Sequence, residues 1–211
     1  VENVVRLKGH VDRARYVNWR QGLRVNDIIP STRALKSRPD LSYALLKRRI
    51  NDQELYEYRI FNLANAIAGM NEANLRLQAG DEVIVFEAGD GQRAQSLLAE
   101  VELLTTQSQG LDRARTVLVS GEVKSPGEYP LTRNMTVDQL LKISGDVTTD
   151  AAVKTIILAK RELGTDRLSF NMLDRNSDDA NQMLSPRDEL FILPANDKRK
   201  KLLEDVIAEA K

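Results

Sequence analysis

The sequence contains no cysteine, which excludes disulfide bonds, zinc sites built on thiolates and a cysteine nucleophile. It contains one histidine, His10, so metal sites built on several histidines are excluded and only one Ser–His–Asp triad is conceivable. Because His10 lies beside Gly9 in a strand-like segment, a solvated strand residue is the favoured interpretation. Aromatic residues make up 5% of the chain, which argues against an extended sugar-binding platform.

Neither an excess of charge nor a long apolar run is present. Lysine and arginine together number 31, as do aspartate and glutamate, so the formal net charge is zero. Nucleic-acid-binding proteins usually have a basic excess, so no nucleic-acid partner is expected. No run reaches the roughly 18 apolar residues of a transmembrane helix. The chain starts with neither methionine nor a signal-peptide pattern, and we expect it to be a piece of a longer protein.

The sequence does contain an internal repeat. The segment LKGHVDRARYVNWRQGLRVNDII (7–29) aligns without gaps with VSGEVKSPGEYPLTRNMTVDQLL (119–141). Gly9 aligns with Gly121, and most apolar positions coincide. An ungapped match of this length favours two copies of one structural unit.

Later segments keep the same order. LQAGDEVIVF (77–86) aligns with LSPRDELFIL (184–193), which matches Asp81 with Asp188. Each copy therefore has about 80 residues, a length that suits a small independent domain better than a solenoid repeat.

The second copy predicts an order of ββ–α–β–β–β. TVLVSGEV (116–123) alternates like a strand, and Pro126 with Gly127 predicts a turn into a short returning strand. Thr136 and Gln139 form a capping-box pattern at the start of a helix. Three further strand patterns follow. One short helix on a mixed sheet is an α+β arrangement of the β-grasp kind.

The first copy departs from this pattern at two points. Arg15 stands where Gly127 stands in the second copy, so either the turn differs or Arg15 is strained. Pro30 closely follows the apolar end of the helix and should cut it short. An additional short helix is predicted at 62–69.

These patterns divide the chain into four parts. Two tandem β-grasp-like domains, each a mixed sheet with one or two short helices, are joined by a helical connector. The predicted bounds are 1–86 for the first domain, 87–115 for the connector with a helix at about 92–107, 116–194 for the second domain, and 195–211 for a C-terminal helix.

The repeated segments resemble the SLBB domain, the soluble-ligand-binding β-grasp module. VSGEVKSPGEYPLTRNMTVDQLLKISGDVTTDA (119–151) and LSPRDELFILP (184–194) carry the resemblance. The whole order is similar to the periplasmic part of outer-membrane polysaccharide export proteins, which contain tandem SLBB domains. The first copy keeps LKGHV, LRVNDII and LQAGDEV but lacks the Pro–Gly turn.

The resemblance implies a periplasmic part of an outer-membrane-associated protein that guides capsule or exopolysaccharide across the envelope. It implies three partners: neighbouring subunits in a homo-oligomeric ring, the exported polysaccharide and an inner-membrane polysaccharide copolymerase. The chain would be a structural and interaction module of the conduit wall, with no catalysis, cofactor or metal. Its recurring structural residues would be Gly9, Gly121, Pro126, Gly127, Thr136, Asp81 and Asp188.

An alternative function is direct carbohydrate binding. Aromatic rings stack on sugar faces, and arginine donates hydrogen bonds to sugar hydroxyls. Tyr16 aligns with the polar Glu128, so it is expected to be exposed, and Arg20 is close to it in sequence. Tyr129 and Arg133 are two further candidates, in the second copy, and Tyr129 aligns with Val17, which suggests partial packing.

Charge is distributed unevenly between the copies. Residues 1–86 contain 14 Lys/Arg and 10 Asp/Glu, a net charge of +4, whereas residues 117–193 contain 9 and 12, a net charge of −3. Opposite patches would help neighbouring subunits to dock, although solvated faces of little energetic value are the plainer explanation. The candidate contact residues are Arg48, Arg49, Asp178 and Asp179.

Two further chemistries fit the sequence poorly. DRNSDDAN (174–181) resembles a calcium loop, but Asp179 occupies the glycine position and Ser185 the position of the final glutamate, which favours an acidic turn. Glu122 and Glu128 resemble a glycosidase pair, but the sequence does not fix their separation. A regulatory module of a redox complex is a third alternative, ranked last because there is no cofactor motif.

Overall fold

The computed structural model describes residues 3–50, 55–89, 91, 93–107, 115–161 and 167–195. The chain divides into two compact units, Val1–Asp90 and Gly91–Lys211. Each unit contains one five-stranded mixed sheet and a few short helices. The predicted α+β class with two β-grasp-like domains is confirmed.

The first unit has the sheet order β2-β1-β5-β3-β4, in which β1 and β5 are parallel and the other neighbours antiparallel. A short 3₁₀ turn, Thr32–Ala34, precedes β3. The elements are β1 Val4–Gly9, β2 Arg15–Asn18, α1 Val25–Ile28, β3 Pro39–Arg49, β4 Tyr56–Phe61, α2 Leu63–Ile67 and β5 Glu82–Glu87.

The second unit repeats this topology with the order β7-β6-β10-β8-β9, and it begins with two additional helices. A 3₁₀ turn, Asp178–Asn181, takes the place of α2. The elements are α3 Arg93–Ser96, α4 Leu98–Gln107, β6 Thr116–Gly121, β7 Gly127–Pro130, α5 Val137–Ile143, β8 Ala151–Arg161, β9 Leu168–Asp174 and β10 Glu189–Pro194. The predicted order ββ–α–β–β–β is confirmed.

The helix that follows each hairpin begins and ends where local chemistry requires. Thr136 Oγ1 accepts a hydrogen bond from the Gln139 amide at 3.3 Å, and Gln139 Oε1 accepts one from the Thr136 amide at 3.2 Å. The predicted capping box is therefore present. In the first unit α1 ends at Ile28, two residues before Pro30, as predicted from proline's lack of an amide donor.

The hydrophobic core of the first unit combines alternate residues of its sheet with residues of α1 and α2. Alternate residues of β1, Val5 and Leu7, are fully buried, as period-two strand geometry requires. The first core contains these two residues and Val11, Leu23, Val25, Ile28, Ile29, Leu35, Ala44, Leu46, Phe61, Leu63, Ala66, Ala73, Leu77, Val83 and Val85.

A glycine ends the first strand of each unit at the same close approach. Gly9 has φ +92° and Gly121 has φ +84°, both in the left-handed region. A Cβ atom at Gly121 would lie far inside 3.0 Å of the backbone oxygen of Ile192 on the parallel strand β10. The same clash would occur at Gly9 with Val85 on β5. This is why the repeat retains a glycine here.

Helices α3 and α4 belong to the second compact unit, where they pack against β6 and β7. Their buried apolar residues are Ala94, Val101 and Leu104, and Leu97, between the two helices, is buried as well. The sequence-based boundaries of the connector stay a prediction. The helix predicted at 195–211 lies outside the described residues, apart from Ala195. Among the helices of the described ranges, none combines the length and apolar character needed to cross a membrane.

Candidate functional site

The Pro–Gly hairpin of the second unit holds the start of α3. The Ala94 amide donates a hydrogen bond to Ser125 Oγ at 2.9 Å, and both residues are buried. Gly127 has φ +146°, and a Cβ atom there would lie 2.6 Å from the Ala94 Cβ. The glycine therefore makes room for a helix of its own unit. Within the sequence Ser-Pro-Gly at 125–127, the serine and the glycine therefore serve the packing of α3 against the hairpin.

Arg93 adds a second contact between α3 and the rest of the unit. Its side chain is 0% exposed, and its Nη1 donates to the backbone oxygen of Ile143, the last residue of α5, at 2.9 Å. A cation at a helix C-terminus binds carbonyls that have no partner within the helix. In the first unit Arg15 has the same role, because its Nη2 donates at 2.6 Å to the oxygen of Ile28, the last residue of α1.

Arg15 thus explains the missing glycine of the first hairpin. Leu7 pairs with Arg15 as Val119 pairs with Gly127, so the two hairpins have the same register. Arg15 does not have a positive φ, whereas Gly127 has φ +146°. The backbone of the first hairpin therefore differs from that of the second at this point, and Arg15 is not strained. One unit caps its helix from the hairpin, and the other caps it from α3.

Gly127→Ala is expected to lower the stability of the second unit by about 2 kcal/mol. The new methyl group would clash with Ala94, and the positive φ of this position is unfavourable for alanine. Hydrogen exchange should rise first in α3 and α4. Urea unfolding of the double variant Gly127→Ala/Ala94→Gly should show partial recovery. Pro126→Ala, at the exposed neighbouring turn position, is the control. Unchanged exchange in α3 would contradict this packing role.

The four predicted ligand residues lie in different environments. Tyr129 is fully buried and donates its hydroxyl to the Ser125 backbone oxygen at 2.7 Å, so it is a core residue. Arg133 is exposed. The Tyr16 ring is 63% exposed, with the Arg6 guanidinium 5.7 Å from its centroid. Arg20 is exposed and lies 3.6 Å from Asp27 of α1. Of these four, Tyr16 has the geometry most suited to ligand contact.

The predicted contact residue Arg48 is engaged inside its own unit. Its Nη2 lies 2.7 Å from Asp81 Oδ2, and its Nε donates to Oδ1 at 3.0 Å. This hydrogen-bonded ion pair raises the pKa of Arg48 further, and the Asp81 side chain is 1% exposed. Arg49 is exposed, as are Asp178 and Asp179.

Asp188 occupies the equivalent of Asp81 but is bound differently. Its Oδ2 accepts a hydrogen bond from the Ser185 amide at 2.9 Å, as Asp81 Oδ2 accepts one from Gln78 at 2.7 Å. Its buried Oδ1 has no hydrogen-bond partner among the described residues. Burial raises the pKa of Asp188, and the hydrogen bond from the Ser185 amide and the charge of Lys160 partly offset this.

A surface cleft of about 540 Å³ in the first unit lies beside α2. Asparagine amides and a carboxylate can donate to and accept from the hydroxyl groups of a sugar. Sequence reasoning missed this cleft, whose signal is the repeated asparagine in FNLANAIAGMNEAN (61–74). Its lining residues are Ile60, Phe61, Asn62, Asn65, Met70, Asn71, Glu72 and Ala73.

The acidic segment at 174–181 forms a turn through its own side chains. Asp174 Oδ1 accepts a hydrogen bond from the Asn176 amide at 2.8 Å, and Asp179 Oδ2 accepts one from the Asp174 amide at 3.0 Å. In the part of the chain that the structure describes, no group of three or more His, Asp or Glu side chains is arranged to hold a metal ion.

Comparison with known families gives one match in the second unit. Residues 116–170 match the family model described as the SLBB domain. The match covers about a quarter of the chain and includes the β6–β7 hairpin, α5, β8 and the start of β9. It supports an SLBB-containing protein, and an SLBB domain is a binding module.

Proposed function

We propose that this chain is a periplasmic piece of a capsule or exopolysaccharide export protein, in which it is a structural and interaction module of a ring-shaped conduit. The observation that carries the proposal is the SLBB match at 116–170, together with a first unit that has the same strand order. SLBB domains occur in polysaccharide export proteins and in ligand-binding modules. Tandem copies would form part of the conduit wall.

The packing of both units suits a wall element. The C-terminal end of α1 is capped by Arg15 and that of α5 by Arg93, and Arg48 is fixed to a buried aspartate. Such internal pairs hold a domain in one shape. Neighbouring subunits, the exported polysaccharide and an inner-membrane copolymerase are the proposed partners.

Subunit contact is the part of this proposal that charge reversal tests. Arg48 is engaged by Asp81, so Arg49 with Asp178 and Asp179 remain as the exposed candidates. In the full-length parent protein, Asp178→Lys/Asp179→Lys should shift purified rings toward smaller species, seen by electron microscopy and light scattering.

The control for ring assembly reverses two other exposed acids of the same unit, Glu102 and Asp150. It changes the net charge equally and should leave the rings intact. Rings that survive the Asp178/Asp179 reversal unchanged would rule out this contact. A parent protein that forms no rings and whose loss leaves surface polysaccharide unchanged would overturn the proposed function itself.

Direct glycan binding is the second candidate function, and the exposed Tyr16 ring and the asparagine-lined cleft favour it. NMR titration of the chain with the cognate polysaccharide separates the two candidates. Localised shifts at Tyr16 or around Asn65 would support binding, whereas a spectrum without shifts would support a purely structural role.

A further inference from the structure

Two loops of the first unit are joined at one end of its sheet. The hairpin loop 10–14 forms a β-bridge with 33–38 between Val11 and Leu35. The Asp12 amide donates to the Ala34 oxygen at 3.3 Å, and the Lys36 amide donates to the His10 oxygen at 3.4 Å. His10 Nε2 also lies 2.7 Å from the Ser37 oxygen. Backbone contacts therefore hold both loops as one surface.

Four cations project from this surface. Arg13, Arg33, Lys36 and Arg38 are all exposed, and Asp12 is the acid beside them. Among the residues that the structure describes, none of the four cations forms an ion pair, although Arg38 Nη2 reaches the Ala88 oxygen at 3.5 Å. Several like charges on two joined loops produce a positive local potential, so the arrangement favours an anionic ligand.

The second unit shows that the fold does not need these cations. Its corresponding loops are joined by a Val123–Val147 bridge and by hydrogen bonds from the Lys124 amide to the Asp146 oxygen at 3.0 Å and from the Thr148 amide to the Glu122 oxygen at 2.9 Å. With the same backbone arrangement, the loops of the second unit carry three acidic residues, Glu122, Asp146 and Asp150, and one lysine.

At equivalent loop positions the two units have different side chains, although the backbone contacts are the same. Arg13 is replaced by Ser125, and Lys36 by Thr148. A positive surface present in one copy and absent from the other is not a requirement of the fold. A requirement of the fold would affect both copies.

An exposed aromatic ring lies on the same hairpin as Arg13. Tyr16 is the second residue of β2, which leaves the hairpin loop, and Glu128 holds its position in the second unit. Tyrosine packs on the apolar face of a sugar ring, whereas guanidinium groups bind carboxylate or sulfate oxygens in pairs. An exposed ring and a group of cations on one hairpin and its bridged loop point to acidic sugars, and the zero net charge of the chain argues against nucleic acid.

We propose that Arg13, Arg33, Lys36, Arg38 and Tyr16 form a binding surface for an anionic polysaccharide with carboxylate or sulfate groups. This inference rests on the proposed function and assigns polymer contact to the first unit. The SLBB-matching second unit has no such surface at the equivalent loops. Binding should weaken as salt concentration rises, because the contacts are exposed charges.

The experiment uses the whole chain with polygalacturonate, dextran sulfate and neutral dextran, in NMR and calorimetric titrations. The first probe tests carboxylate and the second tests sulfate as the bound group. Arg33→Glu/Lys36→Glu should weaken the preferred anionic probe about tenfold or more, and Tyr16→Ala should weaken it severalfold without changing the salt dependence. Thermal unfolding should be nearly unchanged.

Arg76→Glu is the control for a single charge reversal away from the loops, because Arg76 is an exposed cation beside Arg24 and before β5. It should bind like the wild type. Equal affinity for dextran, insensitivity to the loop reversals, or equally tight binding of a single-stranded oligonucleotide would each overturn the inference. A parent protein that still forms rings and exports polymer after such a result would keep the proposed function and lose only this surface.

Discussion

Replacing Gly121 with alanine is expected to unfold the second unit while leaving the first unit folded. The new Cβ would overlap the backbone oxygen of Ile192, which belongs to the paired strand β10 and cannot move without breaking the sheet. The Glu122 amide also donates to this oxygen at 2.9 Å, which fixes its position. Together with the positive φ, we expect a loss of about 4 kcal/mol, close to the whole stability of a small domain.

Gly22→Ala separates the overlap from the backbone conformation. Gly22 has the same φ of +84°, but no atom lies within 4 Å of the position that a Cβ would occupy there. This control should cost about 1 kcal/mol, the usual penalty of a left-handed alanine. If both substitutions cost the same, the overlap argument is wrong.

The readout can distinguish the two units. Trp19 is the sole tryptophan, and its indole donates to the Leu77 oxygen at 2.8 Å, so its fluorescence follows the first unit. Gly121→Ala should leave the Trp19 urea transition unchanged while hydrogen exchange in β10 becomes fast. Gly9→Ala should produce the reverse pattern, because the same overlap occurs with Val85.

The sequence was sufficient to predict the order of elements along the second copy and the start of α5, because those depend on local patterns. The single helix predicted at about 92–107 is divided into α3 and α4. The alternation in β6 and the Thr136–Gln139 cap are visible without any tertiary contact. The alignment also showed that Gly9 and Gly121 matter. Their reason was not visible, because the overlapping oxygen belongs to a parallel strand that lies far along the chain, at Val85 or Ile192.

Side-chain environments were harder to predict than elements. The sequence suggests Tyr129 as a ligand residue, yet it lies in the core, because α3 and α4 pack against β7. The basic loops were also missed. Arg13 and Lys36 are 23 positions apart in sequence, and only the Val11–Leu35 bridge brings their loops together. Long-range contacts of this kind leave no periodic signal in the sequence.

Asp81→Asn and Asp188→Asn should have very different effects, although the two residues are aligned. At neutral pH, Asp81→Asn leaves the partly buried Arg48 guanidinium without its counter-charge, which should cost the first unit about 3 kcal/mol. Within the described ranges Asp188 accepts its hydrogen bond from the Ser185 amide, and an asparagine oxygen can accept that bond equally. Asp188→Asn should therefore change the second unit by less than about 1 kcal/mol.

The different effects expected at Asp81 and Asp188 follow from the cation beside each, an arginine in the first unit and a lysine in the second. Lys47 pairs with Glu82 as Ala159 pairs with Glu189, so Lys160 occupies the sheet position of Arg48. Lysine lacks the planar fork that lets an arginine bind both carboxylate oxygens. Lys160→Arg should supply the missing donors to Asp188 and stabilise the second unit by about 1 kcal/mol. Arg48→Lys should destabilise the first unit by a similar amount.

The pH dependence of unfolding tests the same account. Burial raises the pKa of Asp188, so the folded chain binds this proton more tightly than the unfolded chain does. The contribution of Asp188 to stability is therefore greatest below the usual carboxyl pKa of about 4, and it falls as pH rises through the higher folded value. The gain from Lys160→Arg should be full at neutral pH and vanish toward pH 4, measured by hydrogen exchange in β10. A gain that does not depend on pH would place its origin elsewhere than in the charge of Asp188.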